Sequence, residues 1–246
     1  SFTSMESAAR KRPARTAGED GGLDGGAVAV ADGFEAPLFG VRVVGQVTTL
    51  PLEGEDGPVA AGDVKGVVSD HAGAWYVATK DSLLHVSAAG RVRRVAALPA
   101  SVEYYTVAAS PDGSAAFVAD HANHKIRRVE VATGAVTTVA GSGTRGSADD
   151  VGGAAQFYYT CGLAISPDGS ALFVADQGNH KIRRVEVATG AVATVAGSGT
   201  SGSVDGVGGV AQFHHPCGVA VSPDGSALFV SDQVNHKIRR VDDGGG

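Results

Sequence analysis

The chain has 246 residues, of which 43% are hydrophobic and 19% are charged, a balance that allows a packed core and excludes disorder throughout. The 36 glycines show no three-residue period, which excludes a collagen-like helix and favours a β-protein with many tight turns. The formal net charge is −6, whereas nucleic-acid-binding proteins usually carry a basic surface, so we expect no nucleic-acid partner. No apolar run approaches the roughly 18 residues of a membrane span, so we expect a soluble protein without membrane contact.

The N-terminal segment 1–26 contains a short basic run, Arg10-Lys11-Arg12, whose charge is balanced by nearby acidic residues. It lacks the apolar stretch of a signal peptide, and we expect a disordered arm without an assigned role. The rest of the chain, 27–246, is predicted to be one repeat domain. Its two cysteines, Cys161 and Cys217, are too few for a disulfide framework, so we expect reduced thiols and an intracellular protein.

Repetition is weak in the first part of this domain. Residues 27–50 contain two segments that resemble strands of the later copies, Ala27–Asp32 and Gln46–Leu50. Residues 66–97 contain four short runs in the same order as the later copies, with a shortened second turn at 80–82. We therefore predict a partial repeat at 27–50 and a full one at 66–97.

Three strong copies follow with a constant 56-residue period. The string SPDGSA begins at Ser110, Ser166 and Ser222. The string NHKIRRV begins at Asn123, Asn179 and Asn235. Near-identity over whole periods indicates an internal duplication. The copies occupy 107–140, 163–196 and 219–241, and the last copy stops where a fourth strand would follow.

Each period contains four predicted strands. In the middle copy, an apolar run at 162–165 is followed by the turn Ser166-Pro167-Asp168-Gly169 and by a second apolar run at 171–175. An alternating run at 181–187 and a shorter run at 191–196 complete the copy. Four antiparallel strands that become more polar from first to last are typical of one blade of a β-propeller. We therefore predict an all-β fold, a β-propeller of four-stranded antiparallel blades, with four to five blades visible and the terminal blades incomplete.

The last copy resembles the repeats of the NHL repeat family. Residues 218–225 have the sequence GVAVSPDG and residues 232–239 have the sequence DQVNHKIR, and the family pairs two such segments at a fixed offset. The resemblance covers 105–241 and implies a propeller that is commonly six-bladed. One interpretation is therefore a fragment of a six-bladed ring. In the other, Gln46–Leu50 completes the last blade and closes the ring between the two ends.

A set of Asp, Asn, His and Arg residues recurs in every strong copy, after the second strand and within the third. A catalytic or metal site is needed only once, so the repetition favours a structural role, with turn hydrogen bonds and a buried charge-assisted bond to Arg. The members of this motif are Asp120, Asn123, His124 and Arg127, then Asp176, Asn179, His180 and Arg183, then Asp232, Asn235, His236 and Arg239.

The copies differ just before their innermost strands, where a connector crosses the propeller face near its axis. Aromatic and imidazole side chains at such a rim are suited to contact a protein partner. The candidate face residues are Tyr104, Tyr105, Tyr158, Tyr159, His214, His215 and Cys217. His214 and His215 beside Cys217 are weak candidates for zinc or copper ligands, but no chelating spacing supports them, so we expect no metal and no cofactor.

The NHL resemblance implies a protein-interaction or scaffold module, with a partner that the sequence does not identify, and a monomer unless another chain completes the ring. The alternative is a metal-dependent hydrolase or lyase, because NHL propellers are similar to gluconolactonase-like and peptide-amidating-lyase-like propellers. Its metal would need His214, His215 and His71 or Glu103. A second alternative, binding of single-stranded RNA, conflicts with the negative charge.

Plain surface loops are predicted around the connector acids Asp149, Asp150 and Asp205.

Overall fold

The computed structural model describes residues 53–54, 57–58, 64–99 and 105–242. The predicted N-terminal arm at 1–26 and the predicted partial repeat at 27–50 lie outside these residues. All described residues belong to one compact unit. Its regular structure is β-strand except for three single turns of 3₁₀-helix, at Gly152–Ala154, Gln177–Asn179 and Gly208–Val210.

The strands form four sheets, which are the blades. Blade 1 contains β1 (Glu53–Gly54), β2 (Gly57–Pro58), β3 (Val64–Ser69), β4 (Trp75–Thr79), β5 (Ser82–Val86) and β6 (Arg91–Ala97). Blade 2 contains β7 (Tyr105–Ala109), β8 (Ala115–Asp120), β9 (Lys125–Glu130) and β10 (Val136–Ala140). Blade 3 contains β11 (Thr160–Ile165), β12 (Ala171–Asp176), β13 (Lys181–Glu186) and β14 (Val192–Ala196). Blade 4 contains β15 (Pro216–Val221), β16 (Ala227–Asp232) and β17 (Lys237–Asp242).

From the inner strand outwards, consecutive strands pair antiparallel in each blade (β3 to β6 in blade 1), and each inner strand contacts the inner strand of the next blade, in the order β3, β7, β11, β15. The short β1 adds to the outer edge of blade 1 by parallel pairing with β6. This arrangement confirms the predicted all-β fold and the β-propeller of antiparallel blades. No helix among the described residues has the length and apolarity needed to cross a bilayer.

The turn between the first and second strands of a blade is stabilised, as the sequence predicts, by a glycine with positive φ and by side-chain hydrogen bonds. Gly169 adopts φ 75°, which favours glycine. The Ser166 hydroxyl donates to Asp168 Oδ1 at 2.5 Å, and the Ser166 oxygen accepts from the Ala171 backbone N–H at 3.0 Å. Hydrogen bonds from Ser166 and Ser170 lower the pKa of Asp168 to about 2. The same turn recurs in blades 2 and 4.

The core lies between the blades, because alternate residues of each strand point to opposite faces. Blades 2 and 3 pack against each other. Blade 2 contributes Phe117, Ala119 and Ile126 to this interface, and blade 3 contributes Leu172, Val174 and Val185. The opposite face of blade 3 packs against blade 4. Blade 3 contributes Phe173, Ala175 and Ile182 to this interface, and blade 4 contributes Leu228 and Val230. Blade 3 therefore has one Phe/Ile face and one Leu/Val face.

Blade 4 has three strands in the part of the chain that the structure describes. Its Phe229 and Ile238, the counterparts of the buried Phe173 and Ile182, are 44% and 73% exposed. The inner strands of the four blades begin two or three residues earlier than the predicted boundaries. In blade 3 the reason is a bulge, across which Thr160 already pairs with Asp176 before the regular register begins at Leu163.

The prediction of reduced thiols is wrong, because Cys161 and Cys217 form a disulfide between β11 and β15. Their Cα atoms are 5.2 Å apart, within the usual disulfide range. The neighbouring inner strands approach closely because Gly162 has no side chain. A Cβ at Gly162 would lie 2.8 Å from the Val219 backbone nitrogen. The intracellular location, which we inferred from reduced thiols, loses that support.

Candidate functional site

The connectors that lead into β11 and β15 form one surface together with the turns between the second and third strands. We call it the connector face and define it by residues 121–124, 158–159, 177–180 and 214–215. In blade 3 the Tyr158 backbone N–H donates to Asp176 Oδ1 at 2.8 Å. The next backbone N–H, of Tyr159, donates to the Nδ1 of His124 at 3.3 Å, and His124 belongs to blade 2.

Blade 4 repeats this arrangement. The His214 backbone N–H donates to Asp232 Oδ1 at 2.7 Å. The His215 backbone N–H donates to the Nδ1 of His180, in blade 3, at 3.2 Å. Each connector is thus hydrogen-bonded both to its own blade and to the preceding blade.

Both partners of the bond between blades adopt the left-handed backbone conformation. His124 and His180 have φ 54° and 55°, and Tyr159 and His215 have φ 57° and 54°. Residues other than glycine rarely adopt this conformation, and each instance costs on the order of 1 kcal/mol or more. The hydrogen bonds between the blades join these left-handed positions at each junction, so the rings of the connector face project from a constrained backbone.

The side chains of the connector face form two ring clusters. In the first cluster, at the junction of blades 2 and 3, Tyr159 stacks on His121 with ring centroids 4.7 Å apart and planes 15° apart. Tyr158 stacks on Tyr159 at 4.5 Å, and His124 meets both tyrosines edge-on. Tyr159 is 38% exposed. The first cluster therefore presents an ordered aromatic surface to solvent.

The second cluster, at the junction of blades 3 and 4, consists of three imidazoles. The ring centroid of His180 lies 5.7 Å from that of His214 and 4.8 Å from that of His215, and the His214 and His215 rings stack at 5.2 Å. Burial, followed by the proximity of His215 and His214, lowers the pKa of His180 below its ordinary value of 6.5. Burial likewise lowers the pKa of His124. Neutral rings fit the hydrogen bonds, because only a neutral imidazole accepts at Nδ1.

The Asp and Arg members of the repeated Asp–Asn–His–Arg motif lie behind the connector face. Asp176 is fully buried and accepts hydrogen bonds from Asn179 Nδ2 at 2.8 Å and from Arg183 Nη1 at 2.7 Å. Burial raises the pKa of Asp176 against the opposing effect of these bonds. Arg183 is also fully buried, and its guanidinium lies 5.2 Å from the centre of the Phe157 ring. Equivalent Asp–Asn and Asp–Arg contacts join Asp120, Asn123 and Arg127 in blade 2 and Asp232, Asn235 and Arg239 in blade 4.

Two connector acids, for which plain surface loops were predicted, bind arginines of the repeated motif. Asp149 accepts hydrogen bonds from Arg183 and from the backbone N–H and hydroxyl of Thr194, the latter two both at 3.1 Å. Asp205 accepts from Arg239 in the same way. A signal was present, since each acid stands at the same distance before its arginine and the two Asp–Arg pairs are one repeat period apart.

The candidate metal ligands do not converge. Among the described residues no group of three or more His, Cys, Asp or Glu side chains is placed to hold a metal ion. His71 lies in the turn after inner strand β3, whereas His214 and His215 precede inner strand β15, and Cys217 is engaged in the disulfide. Glu103, Tyr104 and the side chain of Tyr105 lie outside the described residues.

Known proteins with similar sequences include NHL repeat-containing proteins. The chain is 32% identical over 146 residues to human NHL repeat-containing protein 2 and 33% identical over 138 residues to its Bos taurus counterpart. It is 32% identical over 144 residues to protein SUPPRESSOR OF QUENCHING 1, chloroplastic, from Arabidopsis thaliana. These matches cover 52–56% of this chain but only 14–20% of the relatives' own length. No family profile matches the chain.

Solved structures with a similar fold share little sequence with the chain and therefore support the fold alone. An auxiliary nutrient binding protein from Bacteroides ovatus has a TM-score of 0.63 at 21% identity, over 72% of this chain and 47% of that one. Virginiamycin B lyase from Staphylococcus aureus has a TM-score of 0.52 at 15% identity, over 77% of this chain and 58% of that one. Together with the described blades, the sequence matches confirm the predicted resemblance: the repeats are similar to part of NHL repeat-containing protein 2, and they form propeller blades.

Proposed function

We propose that this NHL-repeat propeller is a protein-interaction module that binds a polypeptide segment of its partner on the connector face. The observation that carries the proposal is the pair of ring clusters at two successive blade junctions. Tyrosine and histidine combine an apolar ring with a polar tip and have few rotatable bonds, so they lose little conformational entropy on binding. Because the backbone hydrogen bonds constrain these rings before any partner arrives, the surface is preorganised.

The charge distribution supports a protein partner over RNA. RNA binding relies on cations that are free to neutralise phosphates. In the three strong copies, both arginines of the third strand lie beside a carboxylate. The pairs are Arg127–Asp120, Arg128–Glu130, Arg183–Asp176, Arg184–Glu186, Arg239–Asp232 and Arg240–Asp242. The repeated arginines therefore do not add up to a basic face.

The geometry gives the hydrolase or lyase alternative no comparable support. Such a mechanism needs a metal, or an acid and a base that point into a shared cleft. The second cluster offers three imidazoles, but the Nδ1 of His180 is already engaged by the His215 backbone. The motif carboxylates point at Asn and Arg side chains of their own blade. What the rings offer instead is contact area and hydrogen bonding.

Selection of binders from a random peptide library displayed on phage tests this proposal. We expect enriched peptides to bind the protein saturably and to perturb amide resonances of the connector face. Substitution Tyr159→Ala or His214→Ala should weaken binding by about tenfold or more, the loss typical of a central aromatic contact. The matched control is Phe229→Ala, which removes an exposed aromatic ring outside the connector face. Binders that do not distinguish these variants would contradict the proposal, and so would a selection that enriches nothing.

A further inference from the structure

One arginine borders the first ring cluster. The backbone of Arg145 pairs with that of Phe157, the residue before Tyr158, through an isolated parallel bridge. The next residue, Gly146, donates its backbone N–H to the Phe157 carbonyl at 3.1 Å. The guanidinium carbon of Arg145 lies 5.3 Å from the centre of the Tyr158 ring, within the range of a cation–π contact. Arg145 is therefore tied to the segment that carries the two tyrosines.

The ring that Arg145 contacts has little freedom to move. Tyr158 stacks on Tyr159, and its ring also lies against the backbone of Gly178. A Cβ at Gly178 would lie 2.5 Å from the Cδ1 atom of Tyr158. The Gly178 backbone N–H donates to the Tyr158 carbonyl at 2.8 Å. The contact between guanidinium and ring therefore rests on a side chain whose position is fixed by its neighbours.

The charge of Arg145 is not neutralised by the residues that the structure describes. The residue is exposed, and the ion pairs among the described residues do not include it. Its charge is nevertheless felt within the cluster, because the pKa of His124 is lowered by burial first and, to a smaller extent, by Arg145. The N–H donors of the guanidinium are available to an acceptor from outside the chain.

The second ring cluster has no such cation. One repeat period after Arg145 stands Ser201, and the two tyrosines are replaced by His214 and His215. The two junctions thus share their backbone hydrogen bonds but differ in their side chains. The first combines phenol rings with a permanent positive charge, whereas the second consists of imidazoles. This difference gives the two clusters different ligand preferences.

We infer that the first ring cluster recognises an acidic side chain of the partner segment, whose carboxylate pairs with Arg145 while a neighbouring residue packs on Tyr159. The inference rests on the function proposed above and names the chemistry that this junction selects. A carboxylate matches the fork of guanidinium donors and can accept from it in a bidentate manner. Packing on Tyr159 excludes water from one side of the pair, which strengthens the attraction between the charges.

Two parallel selections from the phage-displayed peptide library test the inference, one on the parent protein and one on Arg145→Glu. We expect peptides enriched on the parent to share an aspartate or glutamate beside an apolar or aromatic residue. Those enriched on Arg145→Glu should carry lysine or arginine in place of the acid. The matched control is Arg91→Glu, which makes the same change in charge at an exposed position of β6 and should retain the acidic consensus.

A synthetic peptide from the parent selection measures the pairing directly. Replacing its acid by the amide of the same shape should weaken binding to the parent protein about fivefold in isothermal titration calorimetry. The same replacement should not change binding to Arg145→Gln, because that variant lacks the charge that the acid would pair with. The Tm of each Arg145 variant should equal that of the parent, since the side chain is exposed.

The outcomes separate this inference from the proposed function. If the parent and Arg145→Glu enrich the same connector-face binders, the inference is overturned and the proposed function stands. If the parent enriches nothing, the proposed function fails and the inference fails with it. A single-stranded RNA oligonucleotide that displaces the peptide and requires Arg145 would also overturn the inference, because the arginine would then serve a phosphate.

Discussion

The Nδ1 of His180 accepts a hydrogen bond from the backbone N–H of His215, 3.2 Å away, and this bond joins blade 3 to blade 4. His124 and Tyr159 make the same bond between blades 2 and 3. An imidazolium has no acceptor nitrogen, so protonation of either histidine abolishes its bond. Cohesion between the blades is therefore linked to the protonation state of the two histidines.

Stability should fall as the pH is lowered below 6.5. The pKa of His124 and that of His180 lie below their ordinary value of 6.5 in the folded protein, so below pH 6.5 the unfolded chain binds more protons than the folded one. The stabilisation is complete above pH 6.5 and is lost as the pH falls towards the folded-state pKa values. Thermal unfolding followed by circular dichroism should give a lower Tm at pH 5.5 than at pH 7.5.

The double variant His124→Asn/His180→Asn should show a smaller difference in Tm between these pH values. Asparagine tolerates the left-handed conformation and does not titrate. His236→Asn is the matched control, because His236 occupies the same turn position in blade 4 but is exposed. A double variant with the full pH dependence of the parent would disprove the linkage.

Removal of the disulfide should destabilise the propeller. The Cys161–Cys217 bond spans 56 residues of sequence and ties two neighbouring inner strands together. A loop of this size predicts a loss of about 2–5 kcal/mol in the free energy of unfolding for Cys161→Ser/Cys217→Ser, measured by guanidinium denaturation. Dithiothreitol should lower the stability of the parent protein to the level of the variant and leave the variant unchanged. Equal stability of the parent and the variant under oxidising conditions would refute the prediction.

The buried ion pair of blade 3 should be worth more than its counterpart in blade 4. Arg183 and Asp176 are both fully buried, so Arg183→Met leaves an unpaired buried carboxylate and should cost about 3–5 kcal/mol. Arg239→Met is the matched substitution in blade 4, where Asp232 is equally buried but the arginine is 10% exposed and its second partner, Asp205, is 94% exposed. We expect it to cost less in urea denaturation at pH 7. The prediction fails if the two variants lose equal stability.

Close approach of the inner strands should make Gly162 sensitive to the smallest substitution. The added Cβ of Gly162→Ala would lie 2.8 Å from the Val219 nitrogen and 3.0 Å from the Gly218 carbonyl carbon, so β11 and β15 would have to separate. We expect a lower Tm and, by thiol titration after refolding, slower formation of the Cys161–Cys217 bond. Gly153→Ala is the control, because no atom lies within 4 Å of its added Cβ. Equal effects of the two substitutions would show that the close approach is unimportant.

The blades could be predicted from the sequence because the information is local. The turn at Ser166–Gly169 and the strand periodicities depend on residues a few positions apart, and the 56-residue spacing shows that they recur. The disulfide could not be predicted in this way, since it depends on how closely two strands approach, and that distance is set by Gly162. The Asp149–Arg183 bond joins residues far apart in the chain and required the path of the connector to be known.

The connector face was predicted only in part. The residue types at 158–159 and 214–215 marked the place where the copies differ. These residues form ring clusters only together with His124 and His180 of the preceding blade. Both histidines were predicted to belong to a separate structural motif. The left-handed conformation of Tyr159 was also not expected, because tyrosine seldom adopts it.

The unequal faces of the blades bear on how such a chain changes in evolution. The middle strong copy contains both halves of a blade junction, a Phe/Ile side that fits the following copy and a Leu/Val side that fits the preceding one. An in-frame gain or loss of one repeat unit therefore recreates complementary junctions without further substitution. Copy number can then vary by recombination alone, while the few connector positions that differ between copies change independently of the junctions.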